Sequence, residues 1–412
     1  MSRHWSLPLF TALLLPAGPA AAQSDPWYVG AVQTFARDSN IFRLPPGAEQ
    51  SSGTISATEL VGGIDLQPGR QHVVADLRLS HNQYASQPQL DFNGYTLGAG
   101  LDWETVDKLS GSVRLDSARR LGSFSSYVTP TGNGANIEQY LSMAAEFRLG
   151  DYKQSRLWFE GDLSYDDTKN DVDFTAPQAL FGIADATGYE RRFKTTGLGL
   201  GARYRVEGTL VLGVALRATR GDEKYVLRPD SANGDPLADT FIRNDVDFLA
   251  GWGATGASRL QARLSYGKTD ADKQLFRRDR RGWSGVLKWD WVPTGKISSN
   301  TVLSYETNAR SVASAQNTAN EPVASVALRA NYAATSKLTG HAGFAFRSRQ
   351  LDTGAANDGT DRRQQFDVGL DWAALRNVTF GCAVSHETRN ESSALAAYKT
   401  TFTSCTARAV LQ

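Results

Sequence analysis

Apolar and polar residues alternate along most of this chain with a period of two, and a helical period of 3.6 is almost absent. Val73, Ala75, Leu77 and Leu79 share one face of an extended segment whose other face carries Val74, Asp76, Arg78 and Ser80. Tyr95, Leu97, Ala99, Leu101 and Trp103 repeat the pattern against Thr96, Gly98, Gly100, Asp102 and Glu104. So do Leu157 to Tyr165, Leu198 to Tyr204, Leu260 to Tyr266 and Phe366 to Trp372. Successive strand side chains point to opposite faces, so this alternation predicts strand after strand. The face opposite the apolar one carries full charges and many glycines. In a soluble sandwich one face of each sheet meets another sheet. A face of hydrocarbon-facing apolar groups backed by a wet charged one is instead the pattern of a membrane barrel. Backbone polar groups in lipid find no water, so such a sheet must close on itself.

The punctuation between strands alternates as well. Short turn signals stand at Pro68-Gly69-Arg70, Thr105 to Lys108, Asp151 to Gln154, Val206 to Thr209, Gly256 to Ser258, Pro293 to Lys296, Ser336-Lys337 and Ala374 to Asn377. Longer polar connections lie between them, among them Asp38 to Gly53, Thr168 to Gly188, Gly221 to Ala238 and Asp352 to Asp361. Eight turns and nine loops join eighteen strands, with sixteen following if two weak alternations are not strands; the weakest segment is Ser298 to Ser311. The expectation is an all-β, transmembrane, antiparallel, up-and-down β-barrel of about 18 strands, with short periplasmic turns and long extracellular loops. One helical turn is allowed within Thr175 to Gly188. Trp27, Tyr28, Trp103, Trp289, Trp291 and Trp372 stand where strands meet the short turns and read as an interfacial girdle.

Met1 to Ala22 reads as an export signal, with Arg3 ahead of the apolar run Leu7 to Leu15 and small residues Ala20-Ala21-Ala22 before Gln23. Residues 23–412 would then form a single outer-membrane barrel domain. Of 412 residues, 44 are Lys or Arg and 43 are Asp or Glu, a balance that excludes a basic nucleic-acid binder. Glycine at 38, with 9 Trp, 14 Tyr and 18 Phe, suits strands and turns. The partners implied are outer-membrane lipid and lipopolysaccharide.

No catalytic, metal or cofactor constellation emerges. The histidines are scattered over separate strands, and two cysteines without paired histidines do not make a zinc site. Ser80 beside His81 and Ser385 beside His386 are the only hints of a barrel enzyme acting on lipid or glycan, and strand neighbours point to opposite faces. The informative set is the charges of inward parity: Arg78, Arg114, Arg203, Arg205, Arg217, Arg263 and Arg347, with Asp76, Asp102, Asp116, Glu160, Asp162, Asp367 and Asp371. They suit a polar conduit that meets acidic or hydroxyl-rich solutes, or they pair across strands and stiffen the wall. Inward glycines would lower bulk in the lumen. Arg277, Arg278, Arg280 and Arg281 form a basic run expected on an external loop, either a lipopolysaccharide or glycan contact or a solvated tip. Cys382 and Cys405 fall on the last two expected strands, as a cross-strand bridge or as two free thiols.

The segment Arg37-Asp38-Ser39-Asn40-Ile41-Phe42-Arg43 resembles the signature of EpsL-like β-barrel porins tied to exopolysaccharide operons of the exosortase type. Glu387-Thr388-Arg389-Asn390-Glu391-Ser392-Ser393, with Tyr398 downstream, is similar to the end of the same family, as is the overall length. The resemblance implies a non-catalytic outer-membrane protein that helps secreted exopolysaccharide cross, in partnership with its export machinery. It implies no site residues. A general diffusion porin for small solutes is the alternative. The chain departs from many outer-membrane barrels in ending Val410-Leu411-Gln412 rather than on an aromatic residue.

Overall fold

The structure is a computed structural model that describes residues 26–106, 108–122, 136–150, 155–180, 183–228, 237–272, 280–307, 322–351, 359–391 and 396–412. The expected export segment lies outside these residues. Eighteen strands follow one another: β1 (Trp27–Asp38), β2 (Gly53–Leu66), β3 (His72–Tyr84), β4 (Phe92–Glu104), β5 (Leu109–Leu121), β6 (Asn136–Leu149), β7 (Leu157–Leu180), β8 (Ile183–Glu207), β9 (Leu210–Arg228), β10 (Leu237–Thr255), β11 (Ser258–Ala271), β12 (Arg280–Thr294), β13 (Ile297–Thr307), β14 (Pro322–Ala333), β15 (Leu338–Leu351), β16 (Gly359–Ala373), β17 (Val378–Arg389) and β18 (Tyr398–Leu411). Each pairs antiparallel with the next, and β18 returns to pair with β1, from Val29 opposite Leu411 to Asp38 opposite Phe402. The sheet is therefore a closed 18-stranded up-and-down barrel. The only helical element among the described residues is a 3-10 turn at Pro88–Leu90.

The alternation sets the two faces. Leu200 and Leu216 are 62 % and 63 % exposed on the outside, whereas Asp247 and Ser265 are 0 % exposed on the inside. A small cluster of buried apolar residues stands at the long-loop end, where Ile41, Phe42 and Leu90 pack with Leu44, Tyr84 and Leu121. The aromatic groups expected at the short-turn ends do stand there on the outward face. Trp289 and Trp291 stack at 5.7 Å, Trp372 stacks on Phe380 at 5.9 Å, and Trp103 meets Phe147 edge-on at 6.5 Å. Trp252 joins them. Tyr28 does not: its ring lies over Gly63, directly across the sheet, on the inward side.

Three expectations need correcting. Thr168 to Gly188 is mostly strand rather than loop, and the described residues of Thr175 to Gly188 hold no helical turn, because β7 and β8 continue as a hairpin through this polar stretch with register shifts between Asp173 and Leu180. Polar residues extend a strand as well as apolar ones where both faces meet water. Gly221 to Ala238 is likewise mostly strand, since β9 runs on to Arg228 and β10 starts at Leu237. Arg280 and Arg281 open strand β12 rather than sit on a loop tip, and Arg277 and Arg278 lie outside the described residues. Strands accordingly run from 11 to 25 residues. The weak segment at Ser298 is strand β13.

Cys382 and Cys405 are bridged, with their Cα atoms 4.1 Å apart. They lie directly opposite one another in the β17–β18 ladder, and Cys405 also lies opposite outward-facing Phe35 of β1. The staple therefore stands on the hydrocarbon side, next to the closing seam. At that seam Gly30 faces Val410, and a Cβ on Gly30 would lie 2.3 Å from the Ala409 carbonyl oxygen. Backbone approaches this closely only because no side chain intervenes. Gly30→Val should therefore weaken closure: the variant should lose heat-modifiable electrophoretic mobility at a lower temperature than wild type. Gly340→Ala, whose new Cβ meets nothing nearer than 3.9 Å, should match wild type.

Candidate functional site

The inward face is a lattice of ion pairs built across strands. Two inward residues on adjacent strands, directly opposite or one step diagonal, bring long side chains within reach. Arg78 bonds Glu59 on β2, and Arg114 Nη2 donates to Asp102 Oδ1 at 2.5 Å. Glu160 accepts from Arg203 Nε at 2.8 Å through one oxygen and from the Trp158 indole N–H at 2.9 Å through the other, with Arg148 3.9 Å away. Arg205 stands 5.8 Å over the Trp158 ring. Arg217 bridges Asp162 and Asp247 at 3.2 Å each, and Arg263 bonds Glu306 on the far side of β12. Asp371 meets His341 at 3.2 Å and is buried with it. Most candidate charges are thus tied to a partner in the wall.

Glycine has a more specific role here than opening space. Asp76 lies across from Gly98, Asp162 from Gly199, Asp245 from Gly267, Asp367 from Gly343 and Asp371 from Gly381. In each pair a Cβ on the glycine would fall within 2.7 Å of a carboxylate oxygen. The glycine leaves a slot in which the carboxylate lies flat against the wall. Gly98 also faces Asp116 on its other side, so Asp76 and Asp116 flank one slot.

The interior is not uniform. Along β9 to β12 the inward polar groups Glu223, Asp245, Asp247, Ser265, Thr269 and Ser284 are buried. Along β3 to β5, Arg78 and Asp102 stay about half exposed. Accessible charge is therefore concentrated on part of the wall. Sequence parity placed every candidate on the inward side of its strand, but the partners Glu59, Asp247 and Glu306 were not anticipated, nor the pairs Arg191–Glu223 at 2.6 Å and Arg349–Asp361 at 3.1 Å. Their parity is readable in the chain. Their pairing depends on register, which alternation does not specify. Arg347 lies directly opposite Arg363. The Ser–His neighbours divide as strand geometry requires: Ser80 and Ser385 face inward, while His81 and His386 share the outward parity and meet Asn93 at 2.7 Å and Thr401 at 3.0 Å.

The first of the two segments that carry the family resemblance is tied to the start of β18. Thr400 Oγ1 donates to Asp38 Oδ1 at 2.6 Å, and Arg43 donates to Asp38 Oδ2 at 2.8 Å. Asn40 Nδ2 donates to the Leu44 and Lys399 carbonyls at 2.9 and 3.2 Å, while Asn40 Oδ1 accepts from the Leu44 amide. Arg43 takes φ 56°, the left-handed conformation that this tight cluster enforces. At the same end of β18, Tyr398 is 0 % exposed; its hydroxyl bonds Glu387 and the Arg389 guanidinium lies 4.7 Å over its ring.

No protein-family model matches this chain, and no curated protein matches it. Solved structures to which it is similar include the siderophore receptor PiuA from Acinetobacter baumannii, at 7 % identity over 95 % of this chain and 82 % of that one, with a TM-score of 0.47. The outer membrane protein opdK from Pseudomonas aeruginosa is 11 % identical over 93 % of this chain and 98 % of that one, at TM-score 0.43. Copper transporter OprC is 10 % identical over 89 % of this chain at TM-score 0.45, and the chain spans 62 % of that protein's length.

Glu160 serves two donors at once, the Arg203 guanidinium and the Trp158 indole, and a glutamine there would keep one acceptor oxygen but lose the charge. Glu160→Gln should lower stability by about 1–2 kcal/mol, the order of a lost charge-assisted hydrogen bond, read from urea unfolding in detergent micelles or lipid vesicles.

Proposed function

We propose that this protein is an outer-membrane porin that lets small hydrophilic solutes cross through its interior. One observation carries the reading. A single closed barrel presents large apolar side chains outward on every wall and ionised side chains inward, with Arg78, Asp102, Arg114 and Glu160 still partly exposed. A sheet of this kind has hydrocarbon for its outer solvent. A barrel of this strand number is wide enough to enclose water. Ion pairs along the wall keep their charges in place while a hydrated solute passes, so passage needs no bond chemistry. Reconstituted into a planar bilayer, the full chain should give discrete, salt-dependent conductance steps; a sealed bilayer at high protein load would reject the reading.

A second reading is passage of an exported polysaccharide, working with its export machinery. Its support is the resemblance of Arg37 to Arg43, and of Glu387 to Ser393 with Tyr398 downstream, to EpsL-like barrels. Deletion of the gene should then abolish secretion of the polysaccharide while leaving its synthesis intact, and undiminished secretion would reject this reading.

A further inference from the structure

The outward wall is indented beside the closing seam. Phe35 of β1, Leu370 of β16, Val384 of β17 and the Cys382–Cys405 bridge line a groove of about 650 Å³, with Arg37 and Thr54 at its long-loop end. Bridged cysteines project less than the Phe35 and Leu370 side chains that flank them. Below Cys405 the outward residues of β18 are Ala407 and Ala409, so small side chains continue toward the short turns. Gln33, beside them on β1, is turned away: its amide donates to Ser56 on β2 at 3.1 Å and accepts from Thr58 at 2.7 Å.

Arg37 heads this groove. It is exposed on the outward face, directly opposite Thr54 of β2 and Thr403 of β18, with Ser56 and Thr401 one step diagonal. None of these is acidic, and the guanidinium has no ion pair or hydrogen bond among the described residues. Arg37 lies ten residues from outward Trp27, about 34 Å along the strand. A strand tilt of about 35–45° makes that roughly 24–28 Å of height, against an apolar band about 25 Å tall. With Trp27 in the girdle at the short-turn edge, Arg37 stands at the opposite edge. A cation facing lipid costs little only at such an edge. From Thr403 to Ala409 is about 20 Å of strand. At the same tilt this is roughly 14–17 Å of depth, one leaflet of a hydrocarbon core about 30 Å thick. Long loops of such barrels are external, so the leaflet is the outer one.

We infer that this groove seats an acyl chain of a lipid A-type phosphoglycolipid, with the phosphate of that lipid held on Arg37. A guanidinium presents a planar donor fork that matches phosphate oxygens bidentately. The hydroxyls of Thr54 and Thr403 on either side suit the sugar that carries such a phosphate. The phosphate supplies the counter-charge that the wall does not. The inference uses the outward face alone, so it stands whether or not the interior conducts.

Native mass spectrometry of the full-length protein in detergent tests it, after titration with diphosphoryl lipid A and separately with phosphatidylglycerol. One lipid A per barrel is expected, bound about tenfold or more tightly than phosphatidylglycerol. Arg37→Gln should weaken it about tenfold, and Arg37→Lys, which keeps the charge but not the fork, less. Ala407→Phe, which sets a ring in the path of the acyl chain, should also weaken it; Ala407→Leu serves if the phenylalanine does not fold. Arg362→Gln should bind as wild type: it is an exposed outward cation ten residues from Trp372 on β16, three strands from Arg37. Heat-modifiable mobility checks that each variant is folded. Absence of lipid A binding, or equal affinity in Arg37→Gln, overturns the site. So does equal weakening by Arg362→Gln, which is the behaviour of a general basic belt, or equal binding of phosphatidylglycerol. A dimer without lipid that Ala407→Phe splits overturns it in favour of a second copy on this face.

Discussion

A strand whose outer side chains touch hydrocarbon can send its backbone amides and carbonyls only to another strand. Every feature of this protein follows from that requirement, and the β1–β18 seam is where it is met last. The register there runs unbroken from Val29–Leu411 to Asp38–Phe402. Gly30 allows the strands to close, and the Cys382–Cys405 bridge holds β17 and β18 as one hairpin beside the seam. At the long-loop end the seam is finished by side chains: Asp38, Ser39 and Asn40 bond Lys399, Thr400 and Thr401. At the short-turn end Val410 and Leu411 pair with Gly30 and Val29.

With its apolar groups turned outward, the barrel has to organise a polar interior. It does so by cross-strand pairing. Arg217 between Asp162 and Asp247, and Glu160 between Arg203 and Trp158, show one group satisfying two neighbours on different strands. A glycine opposite an aspartate gives the carboxylate a slot in the wall, as Gly343 does for Asp367 and Gly199 for Asp162. Both devices hold side chains close to the sheet, so charge lines the interior without crossing it.

Register also sets like charges level: Arg363 lies opposite Arg347 on β15 and opposite Arg389 on β17, and Glu387, 3.4 Å from Arg363, shares the same face.

Strand count, handed faces and the alternation of short turns with long loops were readable in the chain, because a two-residue period and turn-forming residues are local properties. Parity put Arg114, Glu160 and Arg217 on the inward face for the same reason. The strand extensions through Thr168 to Gly188 and Gly221 to Ala238 were not readable: outside the hydrocarbon zone both faces are wet, so the alternation that marks a strand fades there. Nor was it readable that Arg217 meets Asp247, that Asp367 is seated on Gly343, or that Cys382 pairs with Cys405. Those depend on which residues closure brings level with one another, and register is a relation between strands that neither strand encodes alone.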